Sequence, residues 1–159
     1  MQAALTEADR QLIEDHFNGR ILQSKTMAGG CIADILLLHL KTKSCELRLV
    51  YKSYPQNSSQ LRAEIQGLEA IAQAGTIQTP KIMAQFQNFI CLGFIPSGLK
   101  SNYTILGEQL ASFHKSTCEK FFGLDKDNYL GNTLQKNVIA KASKPVSYTH
   151  LTLPTSPHV

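Results

Sequence analysis

Apolar residues recur along this chain at two different periods. Over residues 5–17, "LTEADRQLIEDHF", Leu12, Ile13 and Phe17 fall on one side of a helix and Thr6 stands where an N-cap acceptor belongs. That pattern predicts a short amphipathic helix lying on a sheet. The period then changes to two: "ILQSKTM" (21–27), "ADILLLHLKTK" (33–43) and "CELRLVYKSY" (45–54) predict three strands in hairpin order. In the third, Leu47, Leu49 and Tyr51 alternate with Arg48, Val50 and Lys52. A helix is predicted over residues 57–75, with Ser58 or Ser59 as N-cap, an apolar stripe of Leu61, Ile65, Leu68 and Ile71 or Ala72, and Gly75 as its stop. "TPKIMAQFQ" (79–87) and "NFICLGFI" (88–95) read as two more strands, and "SNYTILGEQLASFHKST" (101–117) as a further helix. The fold class is therefore α+β, an antiparallel sheet of about five strands with a helix between the third and fourth.

Composition narrows the class. A chain of 159 residues is enough for one domain of ordinary size, and with 43% hydrophobic and 18% charged residues it is far from the signature of disorder. The net charge of +4 comes from scattered lysines with no basic block or interleaved aromatics, which speaks against nucleic acid as a partner. The longest apolar run, "ILLL", is far short of a bilayer span, so no membrane partner is expected. Cys31, Cys45, Cys91 and Cys118 form no C-x-x-C pair and lack a histidine at zinc-finger spacing. They read as free thiols of a cytoplasmic protein, and no metal site is predicted.

Two features carry candidate chemistry. In "MAGGCIADILLLHL", Gly29 and Gly30 either turn a hairpin or leave bare backbone that a phosphate can approach. Lys52 shares a strand face with Val50, while Glu64 lies three residues after Leu61 and four before Leu68, inside the stripe the helix should bury. A buried carboxylate needs a partner, and a lysine on the preceding strand supplies one. The alternative places Glu64 at the edge of the stripe, in water. Cys31, beside the glycines, reads as an inert small side chain in preference to a thiol that gates the loop by oxidation. His114, after Leu110 and Phe113, reads as a capping or packing residue.

Taken in order, "GGCI", the strand ending "LVYK", "AEIQGLEAIAQAGTIQTPKI", "FICLGFI", "LGEQLASFHKST" and "FGLDKDNYLGNTLQKN" resemble the N-terminal part of the fructosamine kinases, or ketosamine-3-kinases, over about residues 20 to 140. The family is similar to aminoglycoside phosphotransferases and has a protein-kinase-like fold, with ATP between a sheet lobe and a mainly helical lobe. The resemblance implies an ATP-binding lobe over residues 1–98 and the beginning of a helical C-terminal lobe over 99–144. It implies that Gly29, Gly30 and Cys31 form the loop over the phosphates, that Lys52 holds the α- and β-phosphates, and that Glu64 orients Lys52. "LGFIP" becomes the connector whose backbone around Gly93, Phe94 and Ile95 bonds adenine, with Gly93 where relatives often have an acidic residue. The chain has two adjacent glycines where protein kinases space three. "DKDNYLGNT" reads as a shaped turn bordering the sugar site.

The resemblance also exposes what these residues lack. No His-Gly-Asp occurs and no acidic residue follows Asp127, so neither the base that takes the sugar hydroxyl's proton nor the aspartate that holds Mg²⁺ is present. No catalytic and no metal-ligating residue is assigned. The partners implied are ATP, with Mg²⁺ ligands beyond these residues, and a ketosamine small molecule or a glycated protein. Two alternatives stand beside this reading: a non-catalytic nucleotide-binding module, and a related kinase of aminoglycosides or choline-like alcohols. "VSYTHLTLPT", from Val146, is also the translation of a transposon-end sequencing adapter, so residues 145–159 are expected to be a non-native read-through tail.

Overall fold

In the computed structural model, which describes residues 4–27, 33–55, 58–96, 98, 102–116, 121–122, 126–136 and 140–141, a helix leads into a five-stranded sheet. The elements are α1 (Glu7–Phe17), β1 (Gly19–Thr26), β2 (Asp34–Thr42), β3 (Glu46–Ser53), α2 (Ser58–Ala74), β4 (Ile82–Gln85), β5 (Phe89–Gly93) and α3 (Tyr103–Ser116). Short strands follow: β6 (Phe121–Phe122), β7 (Asn128–Leu130), β8 (Thr133–Gln135) and β9 (Ala140–Lys141). The large sheet has the order β1-β2-β3-β5-β4, with every neighbouring pair antiparallel. The expected α+β class, with a helix between the third and fourth strands, is what the chain forms.

Each face of the sheet carries its own core. On one face Leu36, Leu38 and Leu40 of β2, Leu49 and Tyr51 of β3, and Phe89 and Cys91 of β5 are buried with Ile13 of α1. On the other, Ile90 and Leu92 of β5 pack with Leu61 and Ile65 of α2 and with Tyr54. Alternation on strands covered from both sides sends every second residue to a different core. Lys52, paired with Ile35 on β2 and Ile90 on β5, therefore stands in the middle of the sheet on the α2 face.

Local chemistry accounts for the ends of α1. Thr6 accepts from the Asp9 N–H at 3.1 Å, as an N-cap should, and Asn18 closes the helix in the left-handed region at φ 48°. Glu14 then accepts the Ile21 N–H at 2.8 Å and so ties α1 to the edge strand β1. Of the expected α1 stripe, Ile13 is fully buried and Phe17 partly, but Leu12, about 100° around the helix from Ile13, is 48% exposed.

The structure corrects one further expectation, the cap of α2, and gives form to two others. Ser58 and Ser59 lie inside the first turn of α2, so neither is its N-cap, and the capping position falls outside the described residues. His114 is exposed in the last turn of α3, and no residue of α3 is buried. "DKDNYLGNT" is a β-hairpin, β7 and β8 paired from Asn128↔Gln135 to Leu130↔Thr133, with Gly131 at φ +65° in its turn. That φ is one that residues with a Cβ rarely adopt. Residues 145–159 lie outside the described residues. Among the described residues no helix is long and apolar enough to cross a membrane.

Candidate functional site

The site begins with the period of β3. Residues 50, 52 and 54 project from one face, so Val50, Lys52 and Tyr54 all meet α2, and Glu64 faces them from between Leu61 and Ile65. The Lys52 ammonium donates to Glu64 Oε1 at 2.6 Å, with the two side chains 23% and 21% exposed. Tyr54 Oη donates to the other oxygen, Glu64 Oε2, and the Lys52 Nζ lies 5.6 Å from the centre of the Tyr54 ring. Both carboxylate oxygens are thus satisfied, which is the condition for keeping such a charge away from water. Burial first, then the hydrogen bond to Glu64 and its negative charge, hold the Tyr54 phenol above its ordinary pKa, so it remains a donor across the neutral range.

These three side chains line a cleft of about 480 Å³. Ala33 and Ile35 form its β2 side, Gln60 and Ala63 its α2 side, and Asn128, Tyr129 and Gly131 of the hairpin its remaining wall. The hairpin is bonded to the first turn of α2: Ser59 Oγ and Tyr129 Oη are 2.7 Å apart, and the Gln60 amide donates to the Gly131 carbonyl at 3.1 Å and to Asn132 Oδ1 at 3.3 Å. An ammonium has three donor hydrogens, and Glu64 Oε1 takes one, so Lys52 can present positive charge and donors to an anion in the cleft. Among the described residues no group of three or more histidine, cysteine, aspartate or glutamate side chains is placed to hold a metal ion.

The structure brings Lys52 and Glu64 together, settling the choice between an ion pair and a solvated carboxylate. Gly29, Gly30 and Cys31 lie outside the described residues, but the chain on either side does not: the Met27 N–H donates to the Ile35 carbonyl at 3.1 Å, and Ala33 lines the cleft. Gly93, Phe94 and Ile95 are at the end of β5. Gly93 is opposite Leu49, three residues along β3 from Lys52, or about 10 Å at the rise of a strand. The Gly93 N–H donates to the Lys81 carbonyl at 2.8 Å and the Phe94 N–H to the Arg48 carbonyl at 3.2 Å, with the Arg48 guanidinium 4.7 Å above the Phe94 ring. Those two N–H groups thus serve the sheet.

Sequence reasoning missed Tyr54, Gln60 and Tyr129. Tyr54 had a signal, since it continues the period that carries Lys52. Gln60 and Tyr129 had none, because their hydrogen bonds depend on a contact between segments about 70 residues apart.

Comparison with known proteins gives a consistent picture. A family model described as fructosamine kinase matches residues 5–143. A probable ketoamine kinase of Vibrio parahaemolyticus is 26% identical over 128 residues, which is 76% of this chain and 43% of the relative. One from Escherichia coli K12 is 32% identical over 81 residues, 47% of this chain and 28% of the relative. The crystal structure of a provisionally assigned fructosamine-3-kinase from Haemophilus somnus superposes with a TM-score of 0.64 at 22% identity, over 82% of this chain and 46% of that one. The chain thus spans less than half the length of the relatives it matches.

Proposed function

Since this chain belongs to the fructosamine kinase family, its family match covering residues 5–143, we propose that it is the ATP-gripping N-terminal part of an enzyme that phosphorylates the 3-hydroxyl of ketosamines. The observation that carries the reading is the Lys52–Glu64 pair at 2.6 Å, a fixed cation at the floor of an open cleft. Lys52 would bond the α- and β-phosphates, Glu64 would keep its ammonium in place, and Gly29, Gly30 and Cys31 would close over the phosphates. Backbone groups of Gly93, Phe94 and Ile95 would bond adenine, at a separation from Lys52 that one nucleotide triphosphate spans. Residues 1–98 would then be the nucleotide lobe and 99–144 the start of the helical lobe, with 145–159 a non-native tail.

Bound ATP supplies the γ-phosphoryl group, and Mg²⁺ would neutralise charge on its phosphates from ligands beyond these residues. A family enzyme would pass that group to a ketosamine, either a small glycated amine or a glycated lysine on a protein, whose phosphorylated product loses the sugar. With no His-Gly-Asp in its sequence, the 159-residue chain should bind nucleotide without transferring phosphate. Calorimetric titration with MgATP tests the grip: Lys52→Ala should weaken binding about tenfold or more, as losing a charge-assisted contact to phosphate does. Unchanged affinity would sink the nucleotide reading. A longer chain that contains a His-Gly-Asp segment should phosphorylate fructoselysine; if it prefers an aminoglycoside or choline, the substrate assignment fails and the kinase assignment stands. Resequencing the source DNA across the Lys144 codon without a transposon adapter tests the tail. A verified natural stop there would favour the non-catalytic nucleotide-binding module.

A further inference from the structure

The first turn of α2 is held from outside the large sheet, and that contact bears on the cation in the cleft. We propose that the β7–β8 hairpin is a brace that aligns α2, and that Gln60 and Tyr129 are positioning residues for the Lys52–Glu64 pair. The proposal rests on the reading of that pair as the nucleotide grip.

Gln60 is one helical turn before Glu64, on the same side of α2. It is 7% exposed, so its amide lies in a place where an unpaired polar group is costly. Both of its described partners, the Gly131 carbonyl and Asn132 Oδ1, belong to the turn of the hairpin. Next to it Ser59 and Tyr129 share a hydrogen bond at 2.7 Å. The partners are 70 to 72 residues away in sequence, on a segment that follows α3. Tyr54 fixes the Glu64 carboxylate from the sheet side, and the hairpin fixes the helix that carries Glu64 from the opposite end of the cleft. The 2.6 Å contact joins an atom carried by the sheet to one carried by α2, so the alignment of the helix sets where the Lys52 ammonium is held. The grip on nucleotide therefore depends on a segment contributed after the connector, from the start of the second lobe.

The test is a double-mutant cycle read by MgATP affinity on the 159-residue chain. Gln60→Leu should weaken binding about three- to tenfold, the range of coupling through a positioning network, and Tyr129→Phe about twofold or more. In a Glu64→Gln background neither change should weaken binding further, because the brace acts only through Glu64. A loss of equal size in both backgrounds would mean general damage to the domain and would overturn the proposal, as would full affinity in Gln60→Leu and Tyr129→Phe when Lys52→Ala has lost it. Tyr129→Phe deletes one oxygen atom from a partly exposed residue, so it decides the matter if Gln60→Leu does not fold. If Lys52→Ala itself binds MgATP as the parent chain does, the nucleotide reading falls, and the brace falls with it.

Discussion

Glu64 is held by an ammonium at one oxygen and a phenol at the other, and removing each has a different consequence. Lys52→Ala leaves a mostly buried carboxylate with one donor, and should cost about 1–3 kcal/mol in denaturant unfolding as well as the nucleotide grip. Tyr54→Phe keeps the ring and removes the donor, and should cost about 0.5–1.5 kcal/mol at neutral pH. The pH dependence has a definite sign. Tyr54 titrates above its ordinary value of 10.0 when folded, so its contribution is complete below that pH and declines as the pH rises beyond it. Tyr51 behaves alike, raised chiefly by burial, and burial pushes the Cys91 thiol from 9.0 up to about 12. Stability should therefore fall from pH 9 upward, and urea midpoints across that range should show a shallower decline in Tyr54→Phe than in the parent chain. Lys52 and Glu64 were legible from the sequence as a candidate pair because each has a clear place in a period. Tyr54 was missed although it obeys the same period, since only the approach of α2 makes its hydroxyl relevant.

Among the elements, α1 is attached to the sheet by few but well-placed contacts. Ile13 is fully buried, Tyr51 Oη donates to Asp9 Oδ2 at 2.9 Å from the middle of the sheet, and Glu14 takes the Ile21 N–H. Ile13→Ala should destabilise the chain by about 2–5 kcal/mol in chemical unfolding, the cost of a core cavity, whereas Leu12→Ala, at a half-exposed site, should lie within about 0.5 kcal/mol of the parent. Where α1 hands over to β1, the backbone of Gly19 is packed against β2. A Cβ there would lie 2.8 Å from the Lys41 carbonyl oxygen and 3.2 Å from side-chain atoms of Leu40 and Thr42. Gly19→Ala should accordingly lower the thermal midpoint, with a cost of about 1–3 kcal/mol from overpacking. Periodicity revealed the larger elements because each carries apolar residues at a regular spacing, whether it buries them, as α2 does, or leaves them exposed, as α3 does. It did not reveal β7 and β8, three residues each, whose only regular feature is their pairing with one another.

For the molecule as a whole, the contrast lies between the sheet and α3. Both sheet faces are covered, while α3 buries no residue and leaves Tyr103 78%, Ile105 49% and Leu106 47% exposed. An apolar helix face of this kind is a surface for contact, and under the proposed function it would seat the remainder of a helical lobe. In the 159-residue chain, Leu106→Glu should leave the unfolding midpoint within about 0.5 kcal/mol of the parent, because little burial is lost. The same change in a longer chain that completes the lobe should destabilise it by about 2 kcal/mol or more, because a charge would be buried there. Equal, small effects in both chains would show that nothing packs on this face.

The order of elements, the cap at Thr6, the stop at Gly75 and the candidacy of Lys52 and Glu64 could all be read from spacing, because each follows from a pattern within one helix or one strand. The family resemblance was legible for a related reason, being a matter of ordered local segments. The closure of Lys52 on Glu64, the phenol that completes it, the sheet's use of the Gly93 and Phe94 N–H groups, and the hairpin bonded to Ser59 and Gln60 required the folded chain. Each of these joins residues whose separation in sequence bears no relation to a helical or strand period. A serine that looks like a cap and a glutamine that looks like solvent-facing filler take their roles from what the rest of the chain brings against them, and local pattern carries no record of that approach.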